Sequence, residues 1–169
     1  MNEHVPIFEL VTKRSDIAAL VSLAHEIWPE HYTPIIGEQQ VEYMLQNLHS
    51  EKVLLEQIQH QYFFYYQIKL GDESIGYLAF QIREQDVFLS KLYLKQKCRG
   101  AGIGRKALEF IKQQTIDQGQ NIISLRVNKD NHKTIAAYYQ LGFKKVGEDC
   151  ADIGASYVMD DLIMQLVID

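Results

Sequence analysis

Two cysteines in 169 residues, Cys98 and Cys150, are too few and too far apart for a disulfide framework or a thiolate zinc site. No apolar run approaches the roughly 18 residues that a membrane-spanning helix needs. The stretch Met1 to Pro6 has no basic segment leading into an apolar one, so no export signal is expected. Basic residues are in the minority: 17 Lys and Arg against 22 Asp and Glu give a net charge of -5, which argues against gripping a nucleic-acid backbone through a broad basic face. The six histidines show no ligand spacing, so no metal is implied. Linkers, low-complexity tracts and internal repeats are also missing. These absences point to one domain over residues 1–169 in a reducing cytoplasm, with neither nucleic acid nor membrane as partner and with a homodimer allowed. The acidic balance would suit a small cationic substrate, and it equally serves solubility.

What is there is a chain 47% hydrophobic and 23% charged, in the ordinary range for a folded core. A short strand-like run lies around Ile7 to Val11. An amphipathic stretch from about Ser15 to Ile27 carries Ile17, Leu20, Val21 and Leu23 on one side. Thr33, Pro34 and Gly37 mark a loop, and a second helix follows from about Glu38 to Leu48. Beyond His60 the period shortens. Tyr62 to Leu70, Ser74 to Arg83 and Val87 to Leu94 read as an antiparallel meander with turns at Gly71-Asp72 and Glu84-Gln85. Next come a helix from about Ile103 to Gln118, a strand Ile122 to Val127, a helix Asn131 to Gln140 stopped by Gly142, and a last strand-like run Tyr157 to Val167. The order β, α, α, β, β, β, α, β, α, β, β predicts an α/β fold, with a mixed, largely antiparallel sheet of six to seven strands and helices on both faces.

The densest chemical signal is the turn Arg99-Gly100-Ala101-Gly102-Ile103-Gly104, set between a strand and a helix. Glycines there allow positive φ and close approach of a ligand to the backbone. With the unpaired amides of the next helix's first turn they form a site for phosphate or pyrophosphate, and Arg99, Arg105 and Lys106 add positive charge. A Walker-type loop is excluded because Arg105, Lys106 and Ala107 follow Gly104, with no hydroxyl for magnesium. The spacing is also wrong for a dinucleotide fingerprint.

Arg99-x-x-Gly102-x-Gly104 after a strand resembles the acyl-CoA pyrophosphate motif of the GCN5-related N-acetyltransferases. Asn131, Tyr138 seven residues later and the ending Leu141-Gly142-Phe143 resemble that family's downstream helix. The resemblance covers about Tyr62 to Val167. It departs at Gln96, where many members have proline, and at Thr134, where they have alanine. It implies acetyl-CoA as the donor, with residues 61–169 as the acetyl-CoA-binding core and 1–60 as a helical, acceptor-side portion. The reaction implied is direct attack by a primary amine of a small molecule in a ternary complex.

The resemblance also implies roles for particular residues. The strand before the cradle would splay from its neighbour, with the Leu92 amide polarising the acetyl carbonyl and Tyr93 and Leu94 presenting backbone to the pantetheine arm. Backbone from Arg99 through Gly100, Ala101, Gly102 and Ile103 to Gly104, with Arg105 beside it, would hold the pyrophosphate. Tyr138 would be the general acid for the departing thiolate, and Asn131 would help hold the cofactor or the chain. No carboxylate or histidine lies within Val87 to Leu94. The acceptor side is therefore sought in Glu26, Trp28, Glu30, His31 and Tyr32, read as a loop that borders the pocket or as a helix end with Trp28 as a core anchor. Further stretches, Trp28 to Tyr32, Leu89 to Tyr93 and Tyr157 to Asp161, look similar to bacterial PaiA-type members, which would imply a polyamine acceptor. Two alternatives stay open: a non-catalytic acyl-CoA-sensing domain, and a protein N-terminal or lysine acetyltransferase.

Overall fold

The computed structural model describes residues 5–169, so the reading of Met1 to Pro6 rests mostly on residues outside that range. Helix α1 spans Arg14–Ile36 and buries Ile17, Leu20, Leu23, Ala24, Ile27 and Trp28 along one helical stripe. It runs well past the expected end near Ile27 and takes in the stretch Glu26 to Tyr32. Pro29 and Pro34 lie inside it. Each deprives the helix of one backbone donor, a loss that packing of the Ile27 and Trp28 side chains outweighs. The helix stops at Gly37, whose φ of 85° suits glycine and whose N–H donates to Thr33 O. Helix α2, Glu38–Asn47, follows directly. Helix α3, Glu51–His60, was not expected from the sequence. It is capped by Ser50, whose hydroxyl accepts from Val53 N–H, and it buries only Leu54.

Among the described residues, seven strands form one sheet in the order β1-β2-β3-β4-β5-β7-β6. They are β1 Ile7–Leu10, β2 Phe63–Leu70, β3 Glu73–Ile82, β4 Val87–Leu94, β5 Ile122–Asn128, β6 Lys144–Gly154 and β7 Tyr157–Val167. All neighbours are antiparallel except β4 and β5. On one face, α1, α2 and α3 pack on Phe63, Tyr65, Tyr77 and Ala79. On the other, α4 (Ile103–Asp117) places Ile103, Ala107, Leu108 and Ile111 against Leu78, Phe80, Leu89 and Leu125, and α5 (His132–Gln140) contributes Ile135 and Tyr138 to the same side.

The parallel pair β4/β5 is joined for only three residues, Val87 to Ile123, Phe88 to Ser124 and Leu89 to Leu125. Its closed end is locked by buried Asp86, which accepts from Arg83 Nε and Nη2, each at 2.6 Å, and from Ser124 Oγ at 2.6 Å. Beyond Leu89 the strands part. Pairing with β3 skips Ser90, as Ala79 faces Lys91 while Phe80 faces Leu89, and such a bulge turns the strand away from its neighbour. Ser90 to Leu94 then pair with β3 alone, or not at all, and Arg126 to Asn128 pair with β7 alone.

Gly76 lets β3 run close behind this open strand. A Cβ there would overlap Tyr93 O and press on Leu94. Gly76→Ala is expected to cost about 1–3 kcal/mol of stability through this overlap and to shift the backbone at Tyr93. An unchanged melting temperature would show that β4 has slack at that point.

Candidate active site

The gap between β4 and β5 opens into a continuous cleft of about 1090 Å³. It is lined by residues of α1, α2, α3 and α5 and of β4, β5, β6 and β7. Of the residues expected to hold an acyl-CoA arm, Leu92, Tyr93, Leu94, Arg99, Gly104, Asn131 and Tyr138 all line it.

The cradle begins with a short 3-10 turn, Gln96–Cys98. Gly100 and Gly102 both take φ of 80°, a left-handed conformation in which L side chains are strained. The first α4 hydrogen bond runs from Lys106 N–H to Gly102 O, so the amides of Ile103, Gly104 and Arg105 have no helical acceptor to reach. A Cβ added at Gly104 would meet nothing within 4 Å. Open space, aligned amides and the positive end of a helix fit a pyrophosphate. Ile103, by contrast, is 4% exposed and turns its side chain into the core, leaving only its backbone for a ligand.

Arg99 is already engaged. Its Nη1 and Nη2 grip Glu30 Oε1 and Oε2 at 2.9 and 2.7 Å, and its Nε donates to Leu94 O at 3.2 Å. That bidentate contact holds the Glu30 carboxyl below its ordinary range and ties α1 to the start of the cradle. Glu30 is thus occupied by Arg99. Glu26 is absent from the cleft lining and faces Lys95 at 3.6 Å.

His31 sits under α5, where Asn131 Nδ2 lies 3.1 Å from its Nε2. The amide nitrogen can only donate, so Nε2 is the accepting, unprotonated nitrogen and the proton resides on Nδ1. Burial, and then the charge of Arg99, lower the imidazole's pKa and keep it neutral. Tyr32 Oη and Tyr93 Oη are 2.7 Å apart. Burial pushes the Tyr32 phenol up to about 12. Tyr138 packs edge-on to Phe143, with ring centroids 5.3 Å apart, and its hydroxyl is used by no side-chain hydrogen bond among the described residues. Burial raises its pKa, so at neutral pH it carries its proton into the cleft. Tyr139, one position on, is exposed, as the 100° step of a helix requires.

Trp28 lines the cleft with its ring but spends its polar atom elsewhere. Its Nε1 donates to Tyr77 Oη at 2.9 Å, leaving the Tyr77 proton for His49 Nε2 at 3.0 Å. His49 has no exposed surface, its Nδ1 has no partner, and its ring stacks on Trp28 at 4.8 Å. Burial, then the charge of Lys91, hold its pKa well below 6.5. A histidine kept neutral in the fold but free to protonate when unfolded stabilises fully above pH 6.5, and that contribution is lost as the pH falls below it. His49→Gln is therefore expected to flatten the loss of melting temperature between roughly pH 6.5 and pH 5. An unchanged slope would assign that loss to other groups.

Two further charged residues lie in the cleft. Asp161 is 3% exposed, lines the cleft and is held by Arg126 Nε at 3.2 Å; burial raises its carboxyl pKa. Its neighbour Asp160 pairs with exposed Lys129, as a surface charge would. Lys91, on β4, faces the α3 side of the cleft. Asp161 and Lys91 both line the cleft because the strands have parted. Among the described residues no group of three or more His, Cys, Asp or Glu could hold a metal ion, and no helix is long and apolar enough to cross a membrane.

No curated relative matches the chain in sequence. Solved structures share its fold. A PaiA N-acetyltransferase from Thermoplasma acidophilum, solved with coenzyme A, is 22% identical, with a TM-score of 0.77 over 95% of this chain and 99% of its own. The ribosomal-protein-S18-alanine N-acetyltransferase of Escherichia coli is 17% identical (TM-score 0.71; 98% and 95% covered). A spermidine N-acetyltransferase chimera from Vibrio cholerae is also 17% identical (TM-score 0.70; 96% and 95%). The model of the acetyltransferase (GNAT) family matches residues 20–143, from the first turns of α1 through the cradle to the end of α5, and the chain belongs to that family of acetyl-CoA-dependent enzymes.

Proposed function

We propose that the protein transfers the acetyl group of acetyl-CoA to a primary amine of a small molecule, by direct attack in a ternary complex. The observation that carries this is the cleft itself. The parted strands leave Leu92 to Leu94 on its lining, near Arg99 and Gly104 of the glycine cradle, and the same cleft extends to residues of α2 and α3. One cleft open to two arms allows both substrates to be present at once.

When bound, acetyl-CoA supplies an acetyl thioester, which an amine can attack. The chain's residues do the rest. The free amides of Ile103, Gly104 and Arg105, with the backbone of the turn from Gly100 before them, would hold the pyrophosphate, and Arg99, fixed by Glu30, shapes the turn rather than floating as a free cation. The Leu92 amide provides a preorganised donor for a developing oxyanion, a class of contact with a large effect on rate. Tyr138, protonated and unpartnered, donates to the leaving sulfur. Asn131, 7% exposed, positions the His31 ring. One group in the cleft can take the acceptor's proton: Asp161, whose proton affinity burial raises, whereas the lone pair of His31 Nε2 is already used by Asn131. Residues 1–60 act as the acceptor-side portion and 61–169 as the acetyl-CoA core, and we place the protein in the cytoplasm.

The test is to mix the protein with acetyl-CoA and an amine panel that includes spermidine, amino acids and peptides, reading released thiol and the acetylated product by mass spectrometry. Amine-dependent thiol release is expected. Binding of acetyl-CoA with no thiol released by any amine would favour a sensing domain instead. Spermidine belongs in the panel because the PaiA resemblance points to a polyamine.

A further inference from the structure

Among the described residues, the α2 and α3 side of the cleft carries one cation, Lys91, with no counter-ion. Lys91 Nζ donates to Tyr65 Oη at 3.1 Å and to Ser90 Oγ at 3.2 Å, and it lies over the Tyr65 and Phe63 rings at 5.5 and 6.0 Å. Tyr65 gives its own proton to Gln57 Oε1 at 2.6 Å, so its oxygen is left to accept from Lys91. The ammonium is thus held in place by a built network, with one donor unclaimed. The α2 and α3 side of the cleft is otherwise lined by Met44, Leu48, Val53 and other apolar or neutral groups. Of the carboxylates that line the cleft from elsewhere, Glu30 and Asp161 are each bound by an arginine, and Asp130 lies at the start of α5 beside Asn131.

A buried ammonium without a counter-ion is costly, and burial lowers Lys91 to about 8. An anion arriving with the acceptor would supply the missing charge, whereas the second ammonium of a polyamine would be repelled. We infer that Lys91 determines acceptor specificity, and that the acceptor is a primary amine carrying a carboxylate or similar anion, amino-acid-like, rather than a polyamine. This rests on the acetyltransferase reading above.

The experiment compares leucine with isoamylamine, phenylalanine with phenethylamine, and all four with spermidine, for the wild-type enzyme and Lys91→Met. Methionine matches the length of the lysine stem, and a melting curve with acetyl-CoA titration checks that the variant folds and loads. The carboxylate-bearing member of each pair is expected to be favoured by about tenfold or more in kcat/KM, carried by KM, with the ratio collapsing toward one in the variant. Preference for spermidine or the decarboxylated amines, or a ratio unaltered in Lys91→Met, would overturn the inference. Calorimetry separates it from the reaction assignment. N-acetylleucine should bind the CoA-loaded protein more tightly than N-acetylisoamylamine, and Lys91→Met should erase the difference, even if no amine in the panel releases thiol. Equal binding of the two to the wild type would refute the role of Lys91.

Discussion

Gly104→Glu is expected to abolish measurable acetyl-CoA binding, weakening it by about 100-fold or more, equivalent to roughly 3 kcal/mol. Gly104 lines the cleft, and a Cβ there points into open space, so the substitution does not disturb the protein's own packing. It does put a carboxylate where the unpaired amides of Ile103, Gly104 and Arg105 converge. Repulsion of a pyrophosphate then adds to simple occupancy, and both act at the positive end of α4. Calorimetric titration checks it. Unchanged affinity in a variant with a wild-type melting temperature would show that the phosphates bind elsewhere.

Tyr138→Phe is expected to lower kcat by roughly 100-fold, the lower end of what a positioned general acid contributes, while leaving the affinity for acetyl-CoA near that of the wild type. The expectation follows from geometry. The ring is fixed by Phe143 and the hydroxyl is unclaimed, so phenylalanine removes the proton donor and little else. The raised phenol pKa also means that the acid stays protonated at neutral pH, so the variant should differ from the wild type by a constant factor around pH 7. Initial rates with the best amine decide it. A kcat equal to wild type would reduce Tyr138 to a wall of the cleft.

Local signals in the chain carried the donor half of this site. Glycine spacing at Gly100, Gly102 and Gly104 exposes backbone in one segment, and a helix with Asn131 and Tyr138 seven residues apart needs no partner to be recognised. The strand periodicity of β2 to β4 and the apolar stripes of α2 and α4 were equally local. The acceptor half was not local. The helix was expected to end near Ile27, with Thr33, Pro34 and Gly37 as a loop, yet the buried stripe ending in Ile27 and Trp28 carries α1 through Pro29 and Pro34. Helix α3 buries a single residue, Leu54, so its pattern left little trace. Glu30 looked like a substrate contact until α1 brought it within 2.7 Å of Arg99, 69 residues away. Asp161 and Lys91 line the cleft only because β4 parts from β5, which nothing local to either residue announces. Each of these depends on contacts between segments far apart in sequence, which periodicity does not report.

The central claim is that the parted strands and the glycine cradle form one donor site, and hydrogen–deuterium exchange with and without coenzyme A tests it most directly. Slowed exchange is predicted at the amides of Leu92 to Leu94 and of Gly100 to Arg105. Binding of coenzyme A that leaves both segments exchanging as in the free protein, with protection elsewhere, would contradict it.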